Sequence, residues 1–256
     1  MRTLFAFMKK EYLETARTGK LIILVLLFAL FGVMNPAIAK LTPWMMEMFS
    51  DSLVESGLIV ANVQVDAMTS WTQFFKNIPI ALIAFVLLFS DSFTKEYKSG
   101  TLLLALTKGL SRYKVVLAKT VLLLSLWTLG YGICFSITYG YTAYFWDNSI
   151  ANNLLFATVI WWLFGVWVIA LIVLFSSLLQ SNTSVTLCTG GIVVFAYLLS
   201  VIPKAKSYSP ALLMNTNSLL AGVEKAEAYM EAIVVAAVST MILIAISVLN
   251  MNKRQV

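Results

Sequence analysis

The sequence predicts an all-α polytopic membrane protein of six transmembrane helices, and three observations carry that reading. Hydrophobic residues make up 60% of the 256-residue chain and charged residues only 12%, roughly half the charged share of an ordinary soluble domain. Several apolar runs approach or exceed the ~20 residues that cross a hydrocarbon core. Lysine and arginine, finally, fall unevenly between alternate loops, as the positive-inside rule requires.

The chain reads as a single transmembrane domain over residues 1–256. Residues 1–20 form an amphipathic interfacial helix: Leu4, Phe5, Met8, Tyr12 and Leu13 recur at helical spacing, while Lys9, Lys10, Glu14 and Arg17 take other positions. The spans follow at about 21–39, 72–90, 115–145, 154–179, 185–202 and 229–249. Asn35-Pro36 predicts a kink or an early exit near the end of the first span. The outer half of the third carries Tyr131, Tyr139, Tyr141, Tyr144 and Trp146, the composition of an aromatic belt. Between the fifth and sixth spans, SPALLMNTNSLL (209–220) opens on Ser-Pro, a good helix start. It is too short to cross, which predicts a re-entrant or interfacial piece. With both termini inside, twelve Lys and Arg lie in inner segments and five in outer ones. That places both ends in the cytoplasm of a cell-membrane protein.

The same residues exclude several functions. There is no histidine, so imidazole metal sites, His-dependent triads and imidazole proton relays are ruled out. Cys134 and Cys188 sit inside apolar runs and read as packing residues. No GxxxxGK[ST] occurs, so the chain has no phosphate cradle of that type. The middles of the spans carry no Asp, Glu, Lys or Arg, and Lys119 and Glu231 lie close enough to span ends to snorkel. Ion-coupled carriers bury ionisable groups near the midplane. A net charge of +6 is here a matter of loops and anionic headgroups, with no nucleic-acid partner.

The loop at 91–114, between the second and third spans, is the most informative stretch. Ser92 is placed to cap a short helix through Lys98, with Phe93 and Tyr97 one turn apart on one face and Lys95, Glu96 and Lys98 elsewhere. Gly100-Thr101 interrupts, Leu102 to Thr107 continues the apolar pattern, and Lys108-Gly109 reads as a helix stop. A loop that only set topology would need neither the helical phasing nor Glu96.

Three features together resemble the ABC-2 type permeases, the membrane subunits of ATP-binding-cassette exporters: KKEYLETARTGK ahead of the first span, E-x3-GT-x6-K-x3-R at Glu96, Gly100, Thr101, Lys108 and Arg112, and the SP-A-L-L piece before the last span. The resemblance implies that two permease chains pair as a homo- or heterodimer. Each would bind a separate ATPase subunit that holds ATP and Mg2+, this chain binding no cofactor and no metal. The loop between spans two and three would be the coupling helix, with Phe93, Lys95, Glu96, Tyr97, Gly100, Thr101, Lys108 and Arg112 at the ATPase. The cargo implied is hydrophobic or amphipathic (peptide, drug or lipid-like), and among the family the small size is most similar to the phenol-soluble modulin exporters. With no charge at depth, the substrate path is expected among Asn35, Asn77, Tyr131, Ser136, Thr138, Thr186 and Ser200. For each of these the competing reading is a polar group bonded to its own bundle. The rival functions are an ion-coupled carrier or channel and a non-transporting immunity or assembly factor.

Overall fold

The computed structural model describes residues 2–48, 65–101, 107 and 111–253. Its helices are α1 (Arg2–Arg17), α2 (Lys20–Met48), α3 (Ala67–Phe89), α4 (Thr94–Ser99), α5 (Arg112–Phe145), α6 (Leu154–Leu178), α7 (Asn182–Val201), α8 (Asn217–Leu220) and α9 (Met230–Lys253). Six of them are long and apolar enough to cross a membrane. Arg112 donates to the carbonyls of Met251 and Asn252 at 3.4 and 3.2 Å, and Lys114 to Thr3 Oγ1 at 3.4 Å. Both ends of the chain therefore meet at one end of the bundle.

α6 is apolar all round, which in a helical bundle means a central position. It buries most of its length against α9, α5 and α7. Aromatic residues bind the centre together: Trp127 contacts Phe28, Phe85, Tyr131 and Trp161 with ring centroids 5.3–6.5 Å apart. Gly165 lets α6 approach α5 under the Trp127 ring, because a Cβ there would lie 2.3 Å from Trp127 Cε2. By contrast α7 leaves Leu187, Val194, Phe195, Leu198 and Val201 exposed, an apolar face for lipid or another chain.

Of the two alternatives at Asn35-Pro36, a kink or an early exit, the early exit does not occur: α2 runs on through Pro36 and Pro43 to Met48. Proline removes the N–H that would bond the carbonyl four residues back. Here that carbonyl, Gly32, accepts from Thr138 Oγ1 of α5 at 3.1 Å. The deficit is filled by a neighbouring helix, the usual way a proline is tolerated inside a bundle. Replacing Thr138 with valine should therefore lower the melting temperature more than the same change at exposed Thr128. Equal losses at both positions would contradict the compensation.

At the end opposite the termini the chain between α7 and α9 folds back as short helical turns. Ser209 caps the turn Pro210–Met214, accepting from Ala211 N at 3.3 Å. Ala211, Leu212, Leu213, Leu219 and Leu220 are buried among the long helices. This matches the expected re-entrant element.

Candidate functional site

At the terminal end, α3 gives way to a tight turn and then to α4. Ser92 N bonds Phe89 O at 3.1 Å, and Asp91 O accepts Lys95 N at 2.9 Å and Thr94 Oγ1 at 3.3 Å. Ser92 does not cap the helix through its side chain; α4 starts at Thr94 with no side-chain cap. Gly100 ends it at φ +67°, in the left-handed region that glycine enters freely. Lys95, Gly100 and Thr101 are exposed, Phe93 is buried, and Tyr97 is half-buried with its hydroxyl donating to Met251 Sδ of α9 at 2.9 Å. Lys20 at the start of α2 holds the turn through Asp91 Oδ1 (2.5 Å) and Leu88 O (2.8 Å).

Beneath α4 lies a charge network that joins three elements. Lys119 of α5, with only 1% of its side chain exposed, donates to Glu11 Oε2 of α1 at 2.8 Å and to Ser92 O at 2.7 Å, and its nitrogen forms an ion pair with Glu96 Oε2 of α4 at 3.1 Å. The ammonium thus meets three segments, two through hydrogen bonds and α4 through an ion pair. Lys10 lies 2.9 Å from Glu11, 3.0 Å from Glu14 and 2.5 Å from Glu96, and Lys95 lies 2.9 Å from Glu14. The carboxylates of Glu11, Glu14 and Glu96 stand within 4.8 Å of one another, and Lys10 among them offsets their repulsion. Three cations face three anions, so the cluster is neutral as a whole, the condition for placing charge out of water.

Two expectations change here. Lys119 does not snorkel; it lies about two turns inside α5, under α4, held by Glu11, Ser92 O and Glu96. Glu96 turns inward, 5% exposed, where the sequence placed it toward a partner. The face of α1 differs as well. Phe7, Glu11 and Thr15 are buried, whereas Phe5, Tyr12 and Leu13 are exposed. Two stripes were superposed in the sequence, one facing the bundle through Glu11 and one facing outward. Nothing local marks Glu11 as the inward carboxylate; its signal is a lysine more than a hundred residues away.

Burial pushes the Glu11 carboxyl above its ordinary range, against the pull of Lys119. The hydrogen bond from Lys95 leads the effects that bring Glu14 down to about 2 from its usual 4.5. A depressed carboxylate stabilises the fold above its unfolded pKa and loses that contribution as pH falls toward the folded value. Glu14→Gln should thus cost the same melting temperature from pH 7 to 5. The difference from the native protein should shrink between about pH 4.5 and 2. A difference independent of pH throughout would contradict the tie to Lys95.

The other candidates fall in separate places. Lys108 lies outside the described residues, as does most of 102–110. Arg112, half-buried, caps the last carbonyls of α9, where a cation is favoured. Asn77, Asn35 and Thr138 form a chain, Asn77 donating to Asn35 Oδ1 at 2.8 Å and Asn35 to Thr138 Oγ1 at 3.1 Å. Tyr131 donates to Thr158 O at 2.9 Å. Ser136 is exposed on the outer half of α5, and Ser200 bonds Tyr197 O of its own helix at 2.6 Å. Thr186 borders a cavity of about 130 Å3 between α3 and α7 lined by Leu82, Val86, Thr189, Gly190 and Val193, and Ser136 borders a separate open groove of about 400 Å3 along α5 with Gly140, Tyr141 and Tyr144. The seven residues therefore do not converge on one chamber within this chain.

A comparison with curated proteins returned no match. The family model described as ABC-2 family transporter protein matches residues 5–249, nearly the whole chain. A bundle of six membrane-crossing helices with its charged knuckle at the terminal end fits that match, and the chain belongs to the ABC-2 transporter family. It is a multi-pass membrane subunit of an ATP-binding-cassette transporter, a class that works with a nucleotide-binding cassette subunit.

Proposed function

We propose that this chain is the permease of an exporter for hydrophobic or amphipathic cargo, with both termini in the cytoplasm of a cell-membrane protein. In this reading α4 is the coupling helix, and a separate ATPase subunit, carrying ATP and Mg2+, docks on it. Lys95, Gly100 and Thr101 meet that subunit, while Glu96 and Phe93 anchor α4 from beneath. A second permease chain completes the translocation path, which accounts for polar candidates that do not converge in one copy. The observation that carries the reading is the clamp: a six-residue helix, open on one side, is ion-paired on the other to α1 and α5 and touches the end of α9. A push on it has only the bundle to move. Differential contact of the ATPase with α4 before and after ATP closure supplies the driving free energy.

The test is accumulation of a fluorescent amphipathic helical peptide in proteoliposomes holding this chain and its ATPase subunit. Accumulation should require both that subunit and hydrolysable ATP. Equal accumulation by the permease alone would overturn the reading.

A further inference from the structure

We propose that Lys119 is a positioning residue that delivers the stroke of α4 into α5, so that the third span, and not the covalently attached second, carries motion to the far side of the membrane. The inference deepens the coupling reading above and rests on it.

Between α3 and α4 the helix is broken by a turn of a few residues, Ser90 to Phe93. The connection from α4 to α5 is of another kind. The Lys119 ammonium hydrogen-bonds Glu11 and Ser92 O and is ion-paired with Glu96. Phe93 and Phe7 rings lie 5.4 and 5.8 Å from its nitrogen, and its side chain is 1% exposed beside a polar cavity of about 40 Å3. Displacing the turn or α4 thus displaces Lys119.

What Lys119 belongs to matters as much. α5 is continuous over 34 residues, about 51 Å at 1.5 Å per residue, against a hydrocarbon core of about 30 Å. The excess places Lys119, seven residues in, near the edge of the core and makes α5 a lever spanning the whole membrane. Its far end carries Tyr139, Tyr141 and Tyr144, all exposed. Energetic coupling travels along rigid elements held by discrete contacts, and α5 is a long helix that grips α4 by a buried charge.

The experiment uses spin labels in the complex with its ATPase subunit, in lipid nanodiscs, with Cys188→Ser as background. Labels at Thr101, just past the Gly100 cap of α4, and at Leu178 report the α4 segment against α6 at the terminal end. Labels at Tyr144 and Leu155 report α5 against α6 at the far end. Each pair is measured before and after trapping with ATP and vanadate. Both distances should change in the otherwise native chain. In Lys119→Met with Glu11→Gln, where no lone carboxylate is left behind at α1 and Glu96 keeps Lys10, the first pair should still change and the second should not. A far-side change that persists in that variant overturns the proposal. So does a native chain in which the first pair moves and the second is still, a result that leaves the coupling reading intact. A native chain in which neither pair moves overturns both. Where the double variant does not fold, Lys119→Gln, which keeps two donors, replaces it. Its far-side change should be reduced, and one of native size overturns the proposal.

Discussion

Lys119→Met alone should cost about 3–5 kcal/mol of stability, the penalty for leaving buried charge without its partner. The loss arises because Glu11 and Glu96, both buried, face the lysine at 2.8 and 3.1 Å and lose that cation. Adding Glu11→Gln should recover much of that, since buried pairs replaced together are often near neutral. Thermal unfolding in detergent at neutral pH reads both variants. A single variant as stable as the native chain would mean that Lys119 is hydrated, and the tripod beneath α4 would not exist. The two melting curves therefore report on the network itself, apart from any transport.

Gly165→Val is the second change with a large expected effect. A β-carbon at this position would fall 2.3 Å from Trp127 Cε2 and Cζ2, and the indole has no room to retreat. Phe28, Phe85, Tyr131 and Trp161 surround the ring, and Trp127 Nε1 donates to Trp162 O at 3.2 Å. Overpacking a close-packed site costs about 1–3 kcal/mol, and a contact this short belongs at or beyond the upper end. Poor yield and aggregation on gel filtration are expected. Gly191→Ala is the matched control, because a β-carbon there meets nothing within 4 Å. If the two behaved alike, the packing of α6 on α5 would be wrong.

Which parts of this architecture the residues announce follows from where the signal sits. A span declares itself through length and hydropathy, both local, so all six were legible. Ser209-Pro210 likewise carries its own capping chemistry, and the short turns before α9 follow from it. What fails to show is anything decided across the bundle. Pro36 looks like a stop until Thr138 covers the Gly32 carbonyl from another helix. Lys119 looks like a span-end lysine until α1 and α4 close over it. Glu96 reads as a contact because a charged residue in a basic loop is usually solvated, whereas here two lysines draw it inward. The polar candidates in the spans are hydroxyls and amides whose partners lie on other helices, as Asn35 with Asn77 and Thr138. Periodicity cannot distinguish that from a lining.

The most direct test of the account puts a photo-cross-linking side chain in place of Thr101, exposed just beyond the Gly100 cap of α4, and in a second sample in place of Tyr144, 82% exposed at the opposite end. Irradiated in native membranes with the ATPase subunit present, Thr101 should yield an adduct with that subunit and Tyr144 should yield none. An adduct at Tyr144, with Thr101 silent, would put the motor on the wrong side of the bundle and contradict the account.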